Sequence, residues 1–191
     1  GSDGYLAWLD DVLEIRETAN FDLKDIDYDI KIVDSPNEVR DLIIERNRVH
    51  NRARILAGYC WAWIKAGQNN TDVHDIKIGD FGMSWNLGNT TTFAIDETSV
   101  NEVGCIHTSQ GLEFDYAGVI IGDDMRYQDG HIVTDFTKRA KTDQSLKGIK
   151  KLYRENPEKA LKEADEISKN TYRTLMTRGM KGCYIDSTEQ K

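Results

Sequence analysis

Apolar positions along the chain follow two rhythms, one helical and one of short continuous runs. Residues 3–17 place Leu6, Leu9, Val12 and Leu13 at helical spacing, with Ser2 or Asp3 available as cap. Tyr28–Val33 alternates like a half-buried strand. Ser35-Pro36-Asn37-Glu38 is a capping box with proline at the first helical position, and Val39, Leu42 and Ile43 continue it as an apolar stripe. A helix to about residue 50 follows from these signals. Ala53–Cys60 reads as a buried strand, whereas 65–92, rich in Gly, Asn, Thr and Asp, predicts a long irregular excursion. Two more apolar runs, Val103–Ile106 and Tyr116–Ile121, flank the polar stretch His107–Asp115. Met125–Asp135 contains Asp129-Gly130 between β-capable segments, a hairpin signal. Asn156-Pro157 opens a long helical pattern through Ala160, Leu161, Ala164, Ile167, Thr171 and Leu175, with Gly179 placed to stop it. Gly182–Ile185 closes the chain as a strand.

Helices alternating with short, nearly all-apolar strands imply an α/β fold: a mostly parallel sheet covered on both faces, in three layers. The 191 residues suit a single domain over 1–191. In such folds ligands gather where loops leave the carboxyl ends of strands, and His107–Asp115 is expected at such an end.

Composition fits a soluble globular domain, with 39% hydrophobic and 30% charged residues. No apolar run approaches the roughly 18 residues of a membrane span, so no membrane partner is expected. Cys60, Cys105 and Cys183 are scattered and sit in apolar contexts, which reads as reduced thiols in a cytoplasmic compartment. His50, His74, His107 and His131 form no ligand spacing with them, so no metal site is expected. The net charge of −8 argues against indiscriminate nucleic-acid binding, yet it is unevenly spread. The window 138–151 holds Lys138, Arg139, Lys141, Lys147, Lys150 and Lys151 against one acid, Asp143. Such a patch serves either a phosphate backbone or a solvated face.

The polar connection carries the densest chemistry. His107, Thr108, Ser109, Gln110, Gly111 and Glu113 offer an imidazole, hydroxyls, an amide, a permissive glycine and a carboxylate just after a strand. Backbone N–H groups there suit a phosphate oxygen, and Glu113 a ribose hydroxyl; the bland alternative is a capped turn. In Tyr172–Gly179, Leu175 and Met176 are expected to face the core, with Thr177 and Arg178 at the last helical turn. Arg178 there either complements the helix dipole or acts as an arginine finger on a transferring phosphoryl group.

Together the two pieces carry a resemblance. Ile106-His107-Thr108-Ser109-Gln110-Gly111-Leu112-Glu113-Phe114-Asp115 resembles the fifth conserved motif of superfamily-one DNA/RNA helicases, and Tyr172–Arg178 their sixth, which carries Thr-Arg. GSDGYLAWLDDVL, RILAGYCW and KNTYRTLMTRGMKGCYI make the whole chain similar to the second half of a bacterial helicase-like family, Domain of Unknown Function 2075, related to Schlafen-type helicase domains. The resemblance implies a RecA-like fold of the P-loop NTPase type, serving as the second helicase lobe. It places Gln110, Gly111 and Glu113 at the nucleotide cleft, couples His107 and Thr108 to the nucleic-acid track, and makes Arg178 the finger. Gly179 departs from the pattern, since relatives often carry alanine there, and an earlier helix end is expected.

No G-x-x-x-x-G-K-[ST] loop occurs in the chain. ATP with Mg2+ is therefore expected only in a two-lobe protein whose N-terminal RecA-like lobe brings that loop, with DNA or RNA as the other partner. Between the two motifs, a basic hairpin and helix insertion around 123–155 offers Lys138, Arg139, Lys141, Lys147 and Lys150 to nucleic acid. The readings rank as motor half first, then a non-catalytic interaction module on a RecA-like scaffold. A metal nuclease built on Asp123 and Asp124 comes third, since a strand end explains that pair. Trp61 and Trp63 read as packing residues or base-stacking ones.

Overall fold

The computed structural model describes residues 3–18, 27–58, 60, 76–78, 80–85, 100, 102–104, 113–139 and 146–187. Its centre is a seven-stranded sheet in the order β1-β9-β6-β2-β5-β4-β3. The strands are β1 (Asp29–Ile32), β2 (Ala53–Ala57), β3 (Ile76–Ile78), β4 (Phe81–Trp85), β5 (Glu102–Gly104), β6 (Phe114–Ile121) and β9 (Gly179–Ser187). Every neighbouring pair is parallel except β3 with β4.

The continuous apolar runs are explained by burial on both faces. Ile55 and Ile120 join Val39 and Ile43 of helix α2 (Pro36–Val49) in one core layer. Their sequence neighbours Leu56 and Val119 point the other way, toward α1 (Asp3–Val12) and α4 (Pro157–Met176), where Tyr5, Leu9, Tyr172 and Leu175 close a second layer. Period-two side-chain alternation thus feeds two cores from single strands, which gives the expected three-layer α/β architecture. At the start of α2 the Ser35 hydroxyl accepts the Glu38 N–H, and Pro36 occupies the first turn, as the capping box predicts.

Between β6 and α4 lies the predicted hairpin of β7 (Met125–Gln128) and β8 (His131–Thr134). Its tip holds Asp129 at φ 52° and Gly130 at φ 82°, both left-handed, as a two-residue turn of this twist requires. A one-turn 3-10 helix (Phe136–Lys138) and α3 (Ile149–Glu155) follow. Ile149 and α4's Ala160 and Ala164 form a small separate core there, with Phe136, Leu146 and Leu152 against it.

Several expectations are corrected. The stretch 65–92 contains β3 and β4, in which Ile76, Phe81 and Met83 are buried. The two strands are three and five residues long, with Asp80 between them and Gly82 inside β4, too short for a periodic signal. β2 ends at Ala57 rather than Cys60. β6 begins at Phe114, so Phe114 and Asp115 belong to the strand rather than to the polar connection. On α4 the buried line runs Ala160, Ala164, Ser168, Thr171, Leu175, while Leu161, one residue out of register, is exposed. Gly179 does not cap α4; it is the first residue of β9. A β-carbon there would lie 2.1 Å from the Gly182 carbonyl oxygen and 2.9 Å from the Ala117 nitrogen, so only glycine allows this close backbone approach.

Candidate functional site

Three parallel strands begin side by side. Ala53 of β2 is in register with Tyr116 of β6, and Phe114 of β6 with Gly179 of β9. The residues immediately before them, Arg52, Glu113 and Arg178, therefore share the amino edge of the sheet. Backbone hydrogen bonds fix this alignment. Phe114 N–H donates to the Arg178 carbonyl at 2.9 Å, and Asp115 N–H donates to the Arg52 carbonyl at 2.8 Å. Here a position is corrected: the connection after β5 starts at a carboxyl end, but Glu113 arrives at the opposite edge, because consecutive parallel strands both begin on that edge.

Beyond Gly179 the register slips between Phe114/Gly179 and Tyr116/Gly182, so Met180 and Lys181 face a single residue, Asp115. Such a bulge re-aims side chains at a strand end. The Asp115 carboxylate lies 3.5 Å from Arg52 Nε and 3.8 Å from Lys181 Nζ, both cations being largely exposed. These are surface pairs of small energetic weight.

Arg178 itself is half-buried just past α4. Its N–H donates to the Leu175 carbonyl at 3.3 Å. Its guanidinium Nε is shielded from solvent and has no hydrogen-bond partner among the described residues. The backbone on both sides is clamped. Tyr5 Oη donates to the Met176 carbonyl at 2.7 Å, and Tyr28 Oη donates to the Gly179 carbonyl at 2.6 Å. The two rings stack with centroids 4.1 Å apart. Burial pushes both phenols well above their ordinary range, so they remain donors. One turn earlier, Arg173 Nε donates to Asp10 Oδ1 at 2.6 Å, tying α4 to α1. No local signal marks this clamp, since Tyr5 and Tyr28 lie 171 and 151 positions from the carbonyls they reach.

Glu113 is exposed at this edge. His107, Thr108, Gln110 and Gly111 lie outside the described residues, as do Lys141, Cys105, Trp61 and Trp63. Leu175 and Met176 are buried as expected, but α4 ends at Met176, so Thr177 caps the helix and Arg178 lies beyond it.

The basic segment divides. Lys138, Lys147, Lys150 and Lys151 are exposed, whereas Arg139 is 7% exposed and turned inward. Its Nη1 donates to Ser168 Oγ at 3.2 Å, and its Nε lies 3.8 Å from Asp124 Oδ2. Arg139 is thus corrected from surface contact to interior ion pair, because it balances a carboxylate that is itself fully buried. Tyr172 Oη donates to Asp124 Oδ1 at 2.5 Å and accepts the Gly122 N–H at 3.0 Å. Asp124 is therefore a structural anchor, while its neighbour Asp123 is exposed, so the two do not converge on one point. No group of metal-ligating side chains capable of holding an ion occurs among the described residues. Cys60 and Cys183 are free thiols, and burial raises both, Cys183 to about 12.

Residues 1–189 match the model of the family described as Schlafen group 3, DNA/RNA helicase domain. The chain belongs to this family. The three-layer α/β sheet is accordingly that of a DNA/RNA helicase-type domain, and a helicase-related role comes with it. The Schlafen group 3 domain is 26% identical over 162 residues to uncharacterized protein YPL245W of Saccharomyces cerevisiae, covering 83% of this chain and 34% of that protein. The chain thus spans about a third of that relative's length. It is also similar, at 12% identity and a TM-score of 0.39, to the C-terminal domain of a possible DNA helicase from Lactobacillus plantarum WCFS1, over 98% of this chain and 85% of that one. That likeness is too distant to bear on function. No helix among the described residues is long and apolar enough to cross a membrane.

Proposed function

We propose that this domain is the trailing lobe of an NTP-driven DNA or RNA helicase or translocase of the superfamily-one type. It supplies Arg178 to an ATP site whose phosphate-binding loop and Mg2+ ligands belong to a preceding RecA-like lobe. The observation that carries the reading is the Arg178 guanidinium: a half-buried cation whose shielded Nε has no hydrogen-bond partner among the described residues, beside Glu113 on the same sheet edge. A buried donor without an acceptor is costly, and an anionic phosphate oxygen is the group that would satisfy it. ATP, when bound, supplies the phosphoryl group whose transfer drives the motor. The chain's own part is to hold a planar cation against the charge that develops there, with Glu113 near the ribose or phosphates. Gln110 and Gly111 complete this wall, and His107 and Thr108 couple it to the nucleic-acid track. Lys138, Lys141, Lys147 and Lys150 add contacts to the phosphate backbone.

The test is nucleic-acid-stimulated ATP turnover by the protein carrying both lobes. Arg178→Ala should lower kcat by about a thousandfold or more, and Arg178→Lys should not restore it, since ammonium lacks the planar fork. Turnover unchanged by Arg178→Ala would remove the assignment. Nucleic-acid binding in that protein without any ATP turnover would favour a non-catalytic interaction module.

A further inference from the structure

We infer that the α3–α4 corner is a single-strand platform on which Tyr153 stacks a nucleobase between cations; this rests on the reading of the basic segment as a nucleic-acid contact. Three features converge there. On α3, Ile149 and Leu152 face the small separate core, which leaves Lys150, Tyr153 and Arg154 together on an outer flank at i, i+3 and i+4 spacing. Tyr153 is 43% exposed. Its inner side is backed by Phe136, with ring centroids 6.0 Å apart and planes tilted by 57°.

The charge along this stretch of chain is one-sided. Between residues 146 and 162 six basic side chains (Lys147, Lys150, Lys151, Arg154, Lys159, Lys162) stand against Glu155 and Glu158, on a chain whose net charge is −8. All six are exposed. Among the described residues no ion pair forms for Lys147, Lys150, Lys151 or Arg154. A solvated face explains lysines; it does not explain an exposed tyrosine held by an aromatic neighbour in their midst. An exposed aromatic ring with cations on the same helix flank is what an unpaired strand requires: bases stack on the ring and phosphates meet the cations. A duplex offers no free base face, so the preference is for single strands, with little regard to sequence. The site is distinct from the amino edge that carries Arg178, and its binding needs no nucleotide.

The experiment is fluorescence anisotropy of the chain with labelled oligothymidylate, oligouridylate and a duplex of equal length, over a range of salt. The parent is expected to bind both single strands more tightly than the duplex. Tyr153→Ala should weaken single-strand binding by about tenfold or more, while Tyr153→Phe keeps it. Lys150→Gln and Arg154→Gln should each reduce the slope of log affinity against log salt by about 0.7. Should Tyr153→Ala unsettle the α3–α4 corner, seen in its melting curve, the two charge variants still decide. Duplex bound as tightly as single strands, Tyr153→Ala binding like the parent with its fold intact, or salt slopes unmoved by both charge variants would each overturn the inference. Failure of the motor reading appears elsewhere, as ATP turnover indifferent to Arg178→Ala, and leaves this binding untouched.

Discussion

Replacing Tyr172 by phenylalanine removes one oxygen from the interior and strands two polar groups. Tyr172 and Asp124 are both 0% exposed, and the phenol is the group that donates to Asp124 Oδ1 at 2.5 Å while accepting the Gly122 N–H at 3.0 Å. Phenylalanine fits the same space, so the change is not a cavity. A hydrogen bond to a charged group contributes about 1.5–3 kcal/mol, and a buried donor left unmade costs about 1–3 kcal/mol. Arg139, 3.8 Å away, continues to offset the Asp124 charge and limits the loss. The destabilisation expected for Tyr172→Phe is therefore about 2–4 kcal/mol. For a chain of this size that lowers Tm by roughly 5–15 °C. Urea denaturation followed by fluorescence should show a lower midpoint with an unchanged m-value. Combining Tyr172→Phe with Asp124→Asn should cost less than the two changes added, because the same bond is removed twice. Additive losses, or a midpoint shift equivalent to less than about 0.5 kcal/mol, would refute the claim that this cluster pins β6, β7 and α4 together.

Two further outcomes follow from the same geometry. Gly179→Ala should cost about 1–3 kcal/mol, because the new methyl meets backbone at 2.1 Å and 2.9 Å rather than a side chain that can turn aside. In the two-lobe protein it should also lower ATP turnover by displacing the adjacent Arg178; full stability and activity in this variant would contradict the bulge geometry. Stability should also fall at alkaline pH. Burial raises the Tyr5 and Tyr172 phenols above their ordinary value of 10.0, so the unfolded chain releases these protons first. Their contribution is complete below that pH and is lost as pH rises above it, by about 1.4 kcal/mol per pH unit for each phenol. Urea midpoints measured from neutral to alkaline pH read this directly, and a flat profile would contradict it.

Local signals were legible where the chain writes its own structure. The Ser35–Glu38 box, the Asp129-Gly130 turn and the Asn156-Pro157 helix start each place a cap or turn residue beside the element it controls. The continuous apolar runs foretold β2, β6 and a parallel sheet, because strands buried on both faces lose their alternation. What remained hidden depends on distant partners. β3 and β4 are strands because their neighbours are strands, not because three to five residues declare it. Arg139 counts as surface charge in the sequence and becomes interior only because Asp124 is buried beneath it. The tyrosine clamp on Met176 and Gly179 joins residues 171 and 151 positions apart. Gly179, read as a helix stop, answers a backbone clash that exists only once β9 bulges against β6. Glu113 and Arg178 stand in two separate motifs of the sequence, but their shared edge was not legible, since a parallel crossover moves the end of a loop to the opposite side of the sheet.

Arg178 is proposed to act on a transferring phosphoryl group. The affinity of the two-lobe protein for ADP with aluminium fluoride, compared with ADP alone, tests it most directly, since a finger acts on the transition state more than on the product. Arg178→Ala is expected to weaken the fluoride complex by orders of magnitude and to leave ADP binding nearly unchanged. Equal affinity of parent and variant for the fluoride complex would contradict the account.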